Sequence, residues 1–367
     1  MIMPLKTFKD TFLKMDANIV DALRVIDQAA MQIVLIVDAD EKLLGTITDG
    51  DIRRAILAGK TLNTSVTEVM NKSPVTLGEN TLGEDVLSLM AEKKVHQIPV
   101  VNIEGKVLDL KNISQVVIDS NGRVSNIQKR SLSVDKTKVF LMLGGEGKRL
   151  RPLTEKTPKP MLPVGGKPLL ETIVSNFVDQ GFEEFYFSIN YKADVIKNFF
   201  GDGEKVGAKI SYIDEVNKMG TAGSLGLLPE RIEAPMIVMN GDLLTNVNFA
   251  NVLDFHSQNS ALATMCVREY VYNIPYGIVE NDGVQLSSII EKPAQSHFIN
   301  AGIYVLEPEV LSLIPQNQYF DMPQLFEKIR ETGGAAGVFP IHEYWRDIGK
   351  VEDLERARAE YESVFVR

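Results

Sequence analysis

Residues 139–163 read VFLMLGGEGKRLRPLTEKTPKPMLP, in which a short apolar run passes into glycines and then into basic residues and prolines. The run 139–143 has the length and composition of a buried strand. Glycines directly after a strand allow backbone N–H groups to approach phosphate oxygens closely. The segment therefore predicts an anion-binding loop at the end of a strand.

Basic side chains are concentrated after these glycines, although the whole chain carries a net charge of −10. Glu155 alone opposes the five of them, which are Lys148, Arg149, Arg151, Lys156 and Lys159. Such a cluster suits a triphosphate. The loop is not of the Walker type, because no serine or threonine follows Lys148. It is also a poor dinucleotide-binding loop, because Leu150 stands where a third glycine belongs.

Beyond the loop, apolar strands alternate with helical patterns. We predict helices over 167–180 and 193–200, and strands over 184–189, 210–213 and 236–239. This alternation is typical of an α/β domain with a Rossmann-like mixed, mostly parallel sheet and helices on both faces. We assign that domain to residues 137–367.

The first third of the chain contains a weak internal repeat of helix, strand, strand and helix. The predicted elements are helix 18–29, strands 33–37 and 43–47 and helix 49–57, then helix 81–90, strands 97–101 and 107–110 and helix 113–118. One copy cannot bury both of its faces, so we expect the two copies to pair into one α+β domain. We place the pair in residues 1–122 and a polar linker in residues 123–136.

Composition argues against several classes of partner. The net charge of −10 disfavours nucleic acid and anionic membranes, because both require a basic surface. The hydrophobic fraction is 44%, but no apolar run approaches the roughly 20 residues of a membrane span. Cys266, the single cysteine, lies in an apolar run and is expected to be a buried, inert thiol. No signal peptide is visible, so we expect a cytoplasmic protein.

The glycine loop resembles that of sugar-phosphate nucleotidyltransferases. The matching positions, in the order that this family shows, are the glycines of the loop, Arg149, Pro152, Lys159 and Pro160. The resemblance implies catalytic roles for Arg149 and Lys159. It also implies nucleotide contacts by Leu143, Gly144, Gly145, Gly147 and Lys148. Leu143 and Lys148 depart from the family, which commonly has alanine and threonine at these two positions.

Further matches to this family follow downstream in the expected order. The resemblance implies nucleotide contacts by Asn190 and by the nucleobase loop, which contains Gly220, Thr221 and Ala222. Asp242 follows the predicted strand 236–239, and ligands bind at such strand ends. The resemblance implies that Asp242 contacts the nucleotide and, with Asp347, holds Mg²⁺. Carboxylates and phosphate oxygens are the ligands that this hard cation prefers.

The resemblance also implies the substrates. Its sugar-phosphate positions are Gly277, Glu291, Lys292 and Asn300. The expected partners are a nucleoside triphosphate and a hexose or hexosamine 1-phosphate. The segment at Asn190 resembles mannose-1-phosphate guanylyltransferases. A repeat pair ahead of such a domain resembles glucosamine-1-phosphate guanylyltransferases of bacterial surface-glycan synthesis, and both likenesses favour GTP.

Residues 44–54, LGTITDGDIRR, resemble a CBS motif, and residues 95–101, VHQIPVV, resemble part of a second copy. The resemblance implies an adenine-nucleotide site contacted by Thr48 and Asp51, and a homo-oligomer formed through the CBS pair. The second copy departs from the motif at residues 109–112. An equally weighted alternative is that Thr48 only caps the helix that begins near Asp49, and that the pair serves dimerisation.

Two functions follow from these patterns. The first, which the resemblance implies, is Mg²⁺-dependent transfer of a nucleoside monophosphate from a nucleoside triphosphate, with GTP favoured, to a sugar 1-phosphate, with release of pyrophosphate and with regulation by a nucleotide at the CBS pair as a further expectation. The second is a non-catalytic sensor that binds a sugar nucleotide. A protein without activity has no chemical need for all of the residues that favour the enzyme, which are Arg149, Lys159, Asp242, Lys292 and Asp347.

Overall fold

The computed structural model describes residues 7–29, 33–79, 89–90, 92–93, 95, 97–112 and 134–365. The chain divides into two compact units, Met1–Lys129 and Arg130–Arg367. Most of the predicted helix 81–90, all of the predicted helix 113–118 and residues 123–133 of the predicted linker lie outside the described residues.

The first unit contains one strand arrangement twice. Its described elements are β1 (Phe12–Leu13), α1 (Ile19–Ala29), β2 (Ile33–Val37), β3 (Leu43–Thr48), α2 (Asp49–Leu57), β4 (Leu77–Gly78), β5 (Gln97–Val101) and β6 (Val107–Asn112). The central strands β2 and β5 each pair with a short parallel strand on one side and an antiparallel strand on the other. The predicted repeat is confirmed for these strands.

The two copies meet through backbone hydrogen bonds and a shared apolar layer. Leu43 N–H donates to Gly105 O at 2.9 Å, and Val107 N–H donates to Glu41 O at 3.0 Å. Alternate residues of β2 pack with Val107 and Leu110 of the second copy, while the others pack within the first copy. Because β2 is covered on both faces, its uninterrupted apolar sequence is explained, and the expected pairing of the copies is confirmed.

The second unit is an α/β domain. Its described strands and helices are β7 (Val139–Met142), β8 (Pro163–Val164), β9 (Lys167–Pro168), α3 (Leu169–Val178), β10 (Glu184–Ile189), α4 (Ala193–Phe200), β11 (Lys209–Asp214), α5 (Gly220–Gly223), β12 (Met236–Asn240), β13 (Leu243–Thr245), α6 (Phe249–Gln258), β14 (Ala263–Asn273), β15 (Ile278–Asp282), β16 (Gln285–Ile290), β17 (Ala294–Leu306), α7 (Met322–Glu331), β18 (Ala336–Ile341), β19 (Trp345–Asp347) and α8 (Val351–Phe365).

A seven-stranded sheet in the order β11-β10-β7-β12-β17-β14-β18 forms the centre of this unit. In this sheet β17 runs against the other six strands, so the predicted mixed, mostly parallel sheet is confirmed. Val139 and Leu141 of β7 face one apolar cluster, and Phe140 faces another on the opposite side of the sheet. Cys266 is buried, as expected.

The parallel pairing of β11, β10, β7 and β12 brings their carboxyl ends to one edge of the sheet. The residues that follow these strands therefore meet there, and this edge carries the site described below.

Two predicted boundaries differ from the structure. The helix predicted from residue 167 begins at Leu169, because Lys167–Pro168 forms a strand that pairs with Pro163–Val164. Val134, at the end of the predicted linker, is buried in the core of the second unit, so these last linker residues belong to the packed domain. None of the helices in the described ranges has the length and apolar character needed to cross a membrane.

Candidate active site

The glycine loop after β7 is held by tight local packing. Gly147 has φ of +60°, and a Cβ at this position would lie 2.9 Å from Thr154 Cγ2 and 3.2 Å from Lys159 Cβ. Thr154 Oγ1 donates to Gly147 O at 2.8 Å. A side chain at residue 147 would therefore displace Lys159, which explains why glycine is needed there.

Leu143, at the start of the loop, is a core residue. Its side chain is 1% exposed, and its N–H donates to Ser188 O at 2.8 Å. A Cβ on Gly241 would lie 2.0 Å from Leu143 Cδ2, so the leucine occupies the space that a side chain at 241 would need. The departure to leucine at 143 is therefore accommodated by packing against Gly241, and the leucine side chain is buried.

Lys159, Asp242 and Asp347 form the centre of the site. Lys159 is 7% exposed, and its Nζ forms an ion pair with Asp242 Oδ2 and lies 3.8 Å from Asp347 Oδ1. The two carboxylates are brought together by β13 and β19, which pair Leu243 with Asp347, and by Ile348 N–H, which donates to Asp242 O at 3.0 Å. Three predicted site residues from distant segments thus meet at one point.

Neighbouring residues hold β19, which ends at Asp347. Trp345 Nε1 donates to Ala301 O at 2.9 Å, and Arg346 forms a two-pronged ion pair with Glu360 of α8 at 2.8 and 2.9 Å. These contacts fix the strand that carries Asp347.

The charges around Asp347 favour a cation. Burial, and next the Asp242 carboxylate, raise the pKa of Asp347, while Lys159 and Arg149 oppose this shift. Asp242 Oδ1 is buried and accepts no hydrogen bond from the described part of the chain. Two close carboxylates with one unpartnered buried oxygen fit a divalent cation that completes its shell with phosphate oxygens and water. Among the described residues there is no group of three or more His, Cys, Asp or Glu side chains that could hold a metal ion.

A second group of polar residues surrounds Gly144. A Cβ on Gly144 would lie 3.2 Å from Glu215 Oε1 and 3.4 Å from Asn190 Cβ. Asn190 Nδ2 donates to Glu215 O at 2.6 Å, and Ser188 Oγ donates to Glu215 Oε1 at 2.6 Å. Burial raises the pKa of Glu215, and hydrogen bonds from Ser188 and from Met219 N–H oppose that shift.

Glu215 is a site residue that the sequence reasoning missed. It directly follows β11, and its backbone N–H donates to Ile189 O at the end of the neighbouring strand. The signal was available, because an acidic residue after a parallel strand is the same pattern that identified Asp242.

The predicted nucleobase loop is anchored on the segment before α7. Ala222 and Gly223 each donate their N–H to Phe320 O at 2.9 Å, and Thr221 N–H donates to Asp321 Oδ1 at 2.9 Å. Gly220 has φ of +77° and lies against the Phe320 carbonyl. Ala222 is fully buried, so its side chain packs beneath the loop.

The predicted sugar-phosphate residues lie on an exposed β arm, formed by β15, β16 and the adjoining halves of β14 and β17. Gly277 faces Glu291, because a Cβ on Gly277 would lie 2.9 Å from Glu291 Oε2. Glu291 and Lys292 are both exposed. Asn300, at the base of the arm, donates to Tyr304 Oη at 2.8 Å and accepts from Gly302 N–H. Gly302 packs closely on Asn240, which links Asn300 to the strand before Asp242.

The remaining basic residues of the loop are exposed. Arg149 lies near Asp347, because a Cβ on Gly349 would be 3.3 Å from Asp347 Oδ2 and 3.7 Å from an Arg149 guanidinium nitrogen. Lys148 Nζ lies 3.4 Å from Glu146 Oε2. Gly145 is open, since nothing in the described chain lies within 4 Å of the Cβ position there.

Family models match both units of the chain. A model described as "Nucleotidyl transferase" matches residues 138–364, and a model described as "CBS domain" matches residues 8–58 and 66–110. The chain belongs to the nucleotidyl transferase family. This result confirms the family resemblance of the glycine loop and of the preceding CBS pair.

Curated relatives match the chain over the part that this family model covers. A UTP–glucose-1-phosphate uridylyltransferase from Synechocystis sp. is 31% identical over 240 residues, which cover 60% of this chain and 62% of that protein. A mannose-1-phosphate guanylyltransferase from Mycobacterium tuberculosis is 33% identical over 226 residues, which cover 60% of this chain and 63% of that protein. The chain thus spans less than two thirds of the length of these relatives.

Among solved structures, the crystal structure of HddC from Yersinia pseudotuberculosis is 28% identical and covers 61% of this chain and 99% of that chain, with a TM-score of 0.49.

Thr48 and Asp51, in the first CBS copy, form a reciprocal helix cap on α2. Asp51 N–H donates to Thr48 Oγ1 at 3.3 Å, and Thr48 N–H donates to Asp51 Oδ2 at 2.8 Å. Arg54 also pairs with Asp51 Oδ1 at 2.6 Å. The capping role weighed from the sequence is present, and a ligand would have to compete with these contacts.

Proposed function

We propose that this chain transfers guanosine monophosphate from GTP to a hexose or hexosamine 1-phosphate, and that it releases pyrophosphate. The observation that carries the proposal is the meeting of Lys159, Asp242 and Asp347 beside the glycine loop. A buried ammonium next to two carboxylates is costly unless the site uses these charges, and phosphoryl transfer requires cations close to phosphates.

In the proposed reaction, an anionic oxygen of the sugar 1-phosphate attacks the α-phosphorus of GTP in line. A P–O bond forms to the sugar phosphate, the bond between the α-phosphorus and the bridging oxygen breaks, and pyrophosphate leaves with the electron pair. No general base is needed, because the attacking oxygen already carries a negative charge. Catalysis then consists of alignment and of neutralising repulsion between anions.

The proposed roles follow from position. Lys159, held by Asp242, would draw the α-phosphate and the acceptor phosphate together. Arg149, near Asp347, would stabilise the leaving pyrophosphate. Asp242 and Asp347 would hold Mg²⁺, which when bound supplies positive charge that offsets the charge on the α-phosphate.

Glu215 supports guanine as the base. The Watson–Crick edge of guanine presents two adjacent N–H donors, and an ionised carboxylate is a pure acceptor that can bind both. Gly144 adjoins this carboxylate at the mouth of the glycine loop, and Asn190 donates to the Glu215 backbone carbonyl. The relatives include both a uridylyltransferase and a guanylyltransferase, so similarity leaves the base open, and Glu215 supports GTP.

The exposed arm supports a sugar 1-phosphate as the acceptor. Lys292 offers a cation for its phosphate, and Glu291 offers a carboxylate for a sugar hydroxyl. The mannose-1-phosphate guanylyltransferase relative supports a hexose. The proposed acceptors include a hexosamine 1-phosphate such as glucosamine 1-phosphate. For the CBS pair, we propose that it binds an adenine nucleotide or forms the contact of a homo-oligomer.

Pyrophosphate release tests the proposal. Purified full-length protein with Mg²⁺ is mixed with GTP, UTP, ATP, CTP or dTTP and with mannose, glucose or glucosamine 1-phosphate. We expect release only for a matched pair, with GTP as the preferred donor, and no release after chelation of the metal. The absence of release with every pair would overturn the enzyme proposal in favour of a sugar-nucleotide sensor. Preference for another triphosphate would overturn the guanine assignment alone.

A further inference from the structure

One carboxylate lies between two ammonium groups at the mouth of the glycine loop. Glu146 Oε1 lies 2.6 Å from Lys218 Nζ, and Glu146 Oε2 lies 3.4 Å from Lys148 Nζ. Lys148 belongs to the glycine loop, whereas Lys218 precedes the nucleobase loop at Gly220. The contact therefore joins the two segments between which the nucleotide would bind.

The three side chains differ in how freely they can move. The exposed fraction is 26% for the Glu146 side chain, 64% for Lys148 and 72% for Lys218. Hydrogen bonds from Lys218 and Lys148 lower the pKa of Glu146, so the carboxylate is ionised at neutral pH. An ion pair between side chains that solvent reaches is weak and is readily exchanged for a better partner.

A triphosphate is a better partner for both lysines. It carries several negative charges and many acceptor oxygens, and Lys218 Nζ already reaches across to the glycine loop. An ionised carboxylate at the same place repels the phosphates and competes with them for both ammonium groups.

We propose that Lys218 binds the triphosphate, and that Glu146 competes with the triphosphate for Lys218 and Lys148. Glu146 thereby weakens nucleotide binding, and its displacement from Lys218 accompanies entry of the phosphates. This inference rests on the proposed function only in taking the glycine loop as a triphosphate site.

Substitution of Glu146 and substitution of Lys218 should change the affinity for GTP in opposite directions. Glu146→Gln removes the competitor, so GTP should bind about threefold more tightly, while Lys218→Gln removes a phosphate contact and should weaken binding about fivefold. If the pair only fastened the two segments, both substitutions would break the same contact and both would weaken binding. The sign of the Glu146→Gln effect therefore separates the two roles.

The test measures binding by calorimetry on the full chain, with GTP and Mg²⁺, without sugar phosphate, at one low ionic strength. Inorganic tripolyphosphate serves as a second probe that lacks the base. Lys197→Gln is the matched control, because Lys197 forms an exposed ion pair with Asp214 in the same unit at 2.8 Å. We expect the control to bind GTP within twofold of the wild type.

Opposite shifts for the two variants, seen with both probes, support the proposal. Shifts of the same sign, or no shift for Lys218→Gln beyond that of the control, overturn it. Because binding needs no turnover, a wild type that binds triphosphate but releases no pyrophosphate refutes the proposed transferase and leaves this inference intact. A wild type that binds neither probe overturns both.

Discussion

The two halves of the candidate site are built differently. In the nucleotide half, Lys159 is buried, Gly147 and Gly241 leave no room for a Cβ, and Asp242 and Asp347 are fixed by strand pairing. In the sugar half, the exposed arm carries Glu291 and Lys292 on its surface. The proposed phosphate chemistry thus lies on residues that the core holds in place, whereas the proposed acceptor contacts lie on side chains that the core does not constrain.

The largest expected effect belongs to the buried half. We expect Asp242→Asn to lower kcat by roughly a hundredfold or more, because the site loses a negative charge that holds Mg²⁺ and orients Lys159. Steady-state pyrophosphate release measures it, and circular dichroism reports whether the variant is folded. Asp214→Asn is the matched control, since Asp214 ends the nearby strand β11 but is exposed. Near-normal turnover in a folded Asp242→Asn protein would refute the metal assignment.

A substitution in the exposed arm should have a smaller effect, and this effect should fall on KM and not on kcat. Lys292→Ala should raise the KM for the sugar 1-phosphate about tenfold or more, because a charge-assisted hydrogen bond to its phosphate is lost. The KM for GTP and the melting temperature should stay unchanged, since Lys292 is exposed. Lys209→Ala removes the same charge from an exposed site on β11 and is the control. A similar rise in the KM for the sugar 1-phosphate and in the KM for GTP would show that the arm does not bind the acceptor independently of the nucleotide.

The contrast between the halves also explains what the sequence could predict. Apolar periodicity predicted part of the fold, and strands 97–101 and 184–189 coincide with β5 and β10. Glycines and prolines identified the loop, because glycine permits and proline restricts particular backbone conformations locally. The packing of Leu143 on Gly241 and the ion pair of Lys159 with Asp242 join segments far apart in sequence, so no local pattern reveals them.

For the arm, the sequence identified residue types but not their setting. Glu291 and Lys292 are an ordinary surface pair by composition, and only their order in the chain suggested a role. The structure shows both residues exposed, so core packing does not constrain which sugar they would contact.

A substitution of Glu215 tests whether the nucleotide half of the site also recognises the base. Glu215→Gln should lower kcat/KM for GTP about tenfold, because glutamine accepts only one of the two guanine donors and turns its own N–H₂ toward the other. The same variant should improve relative use of UTP, whose edge presents a donor beside an acceptor. Initial rates with each triphosphate measure the ratio, and Glu184→Gln, at the exposed start of β10, is the control. An unchanged GTP to UTP ratio would remove Glu215 from base recognition.

The pH dependence of GTP binding gives a second measure of Glu215. Burial raises the pKa of this carboxyl above its ordinary value of 4.5. Only the ionised form accepts both guanine donors. The affinity for GTP should therefore fall as the pH drops through this raised pKa, and it should reach its full value at pH values above that pKa. Tripolyphosphate, which lacks the base, should not show this loss, and an equal loss for both ligands would contradict the assignment.

The smallest expected effect lies in the CBS pair and decides between the two roles of Thr48. Thr48→Val should destabilise the first unit by about 1 kcal/mol, because the side chain can no longer accept from Asp51 N–H at the start of α2. Hydrogen exchange in α2 measures this loss, and Thr61→Val, at an exposed position beyond that helix, is the control. If AMP or ATP protects α2 in the wild type but not in Thr48→Val, Thr48 also contacts a nucleotide. If neither nucleotide changes exchange in the wild type, the cap is the whole role of Thr48.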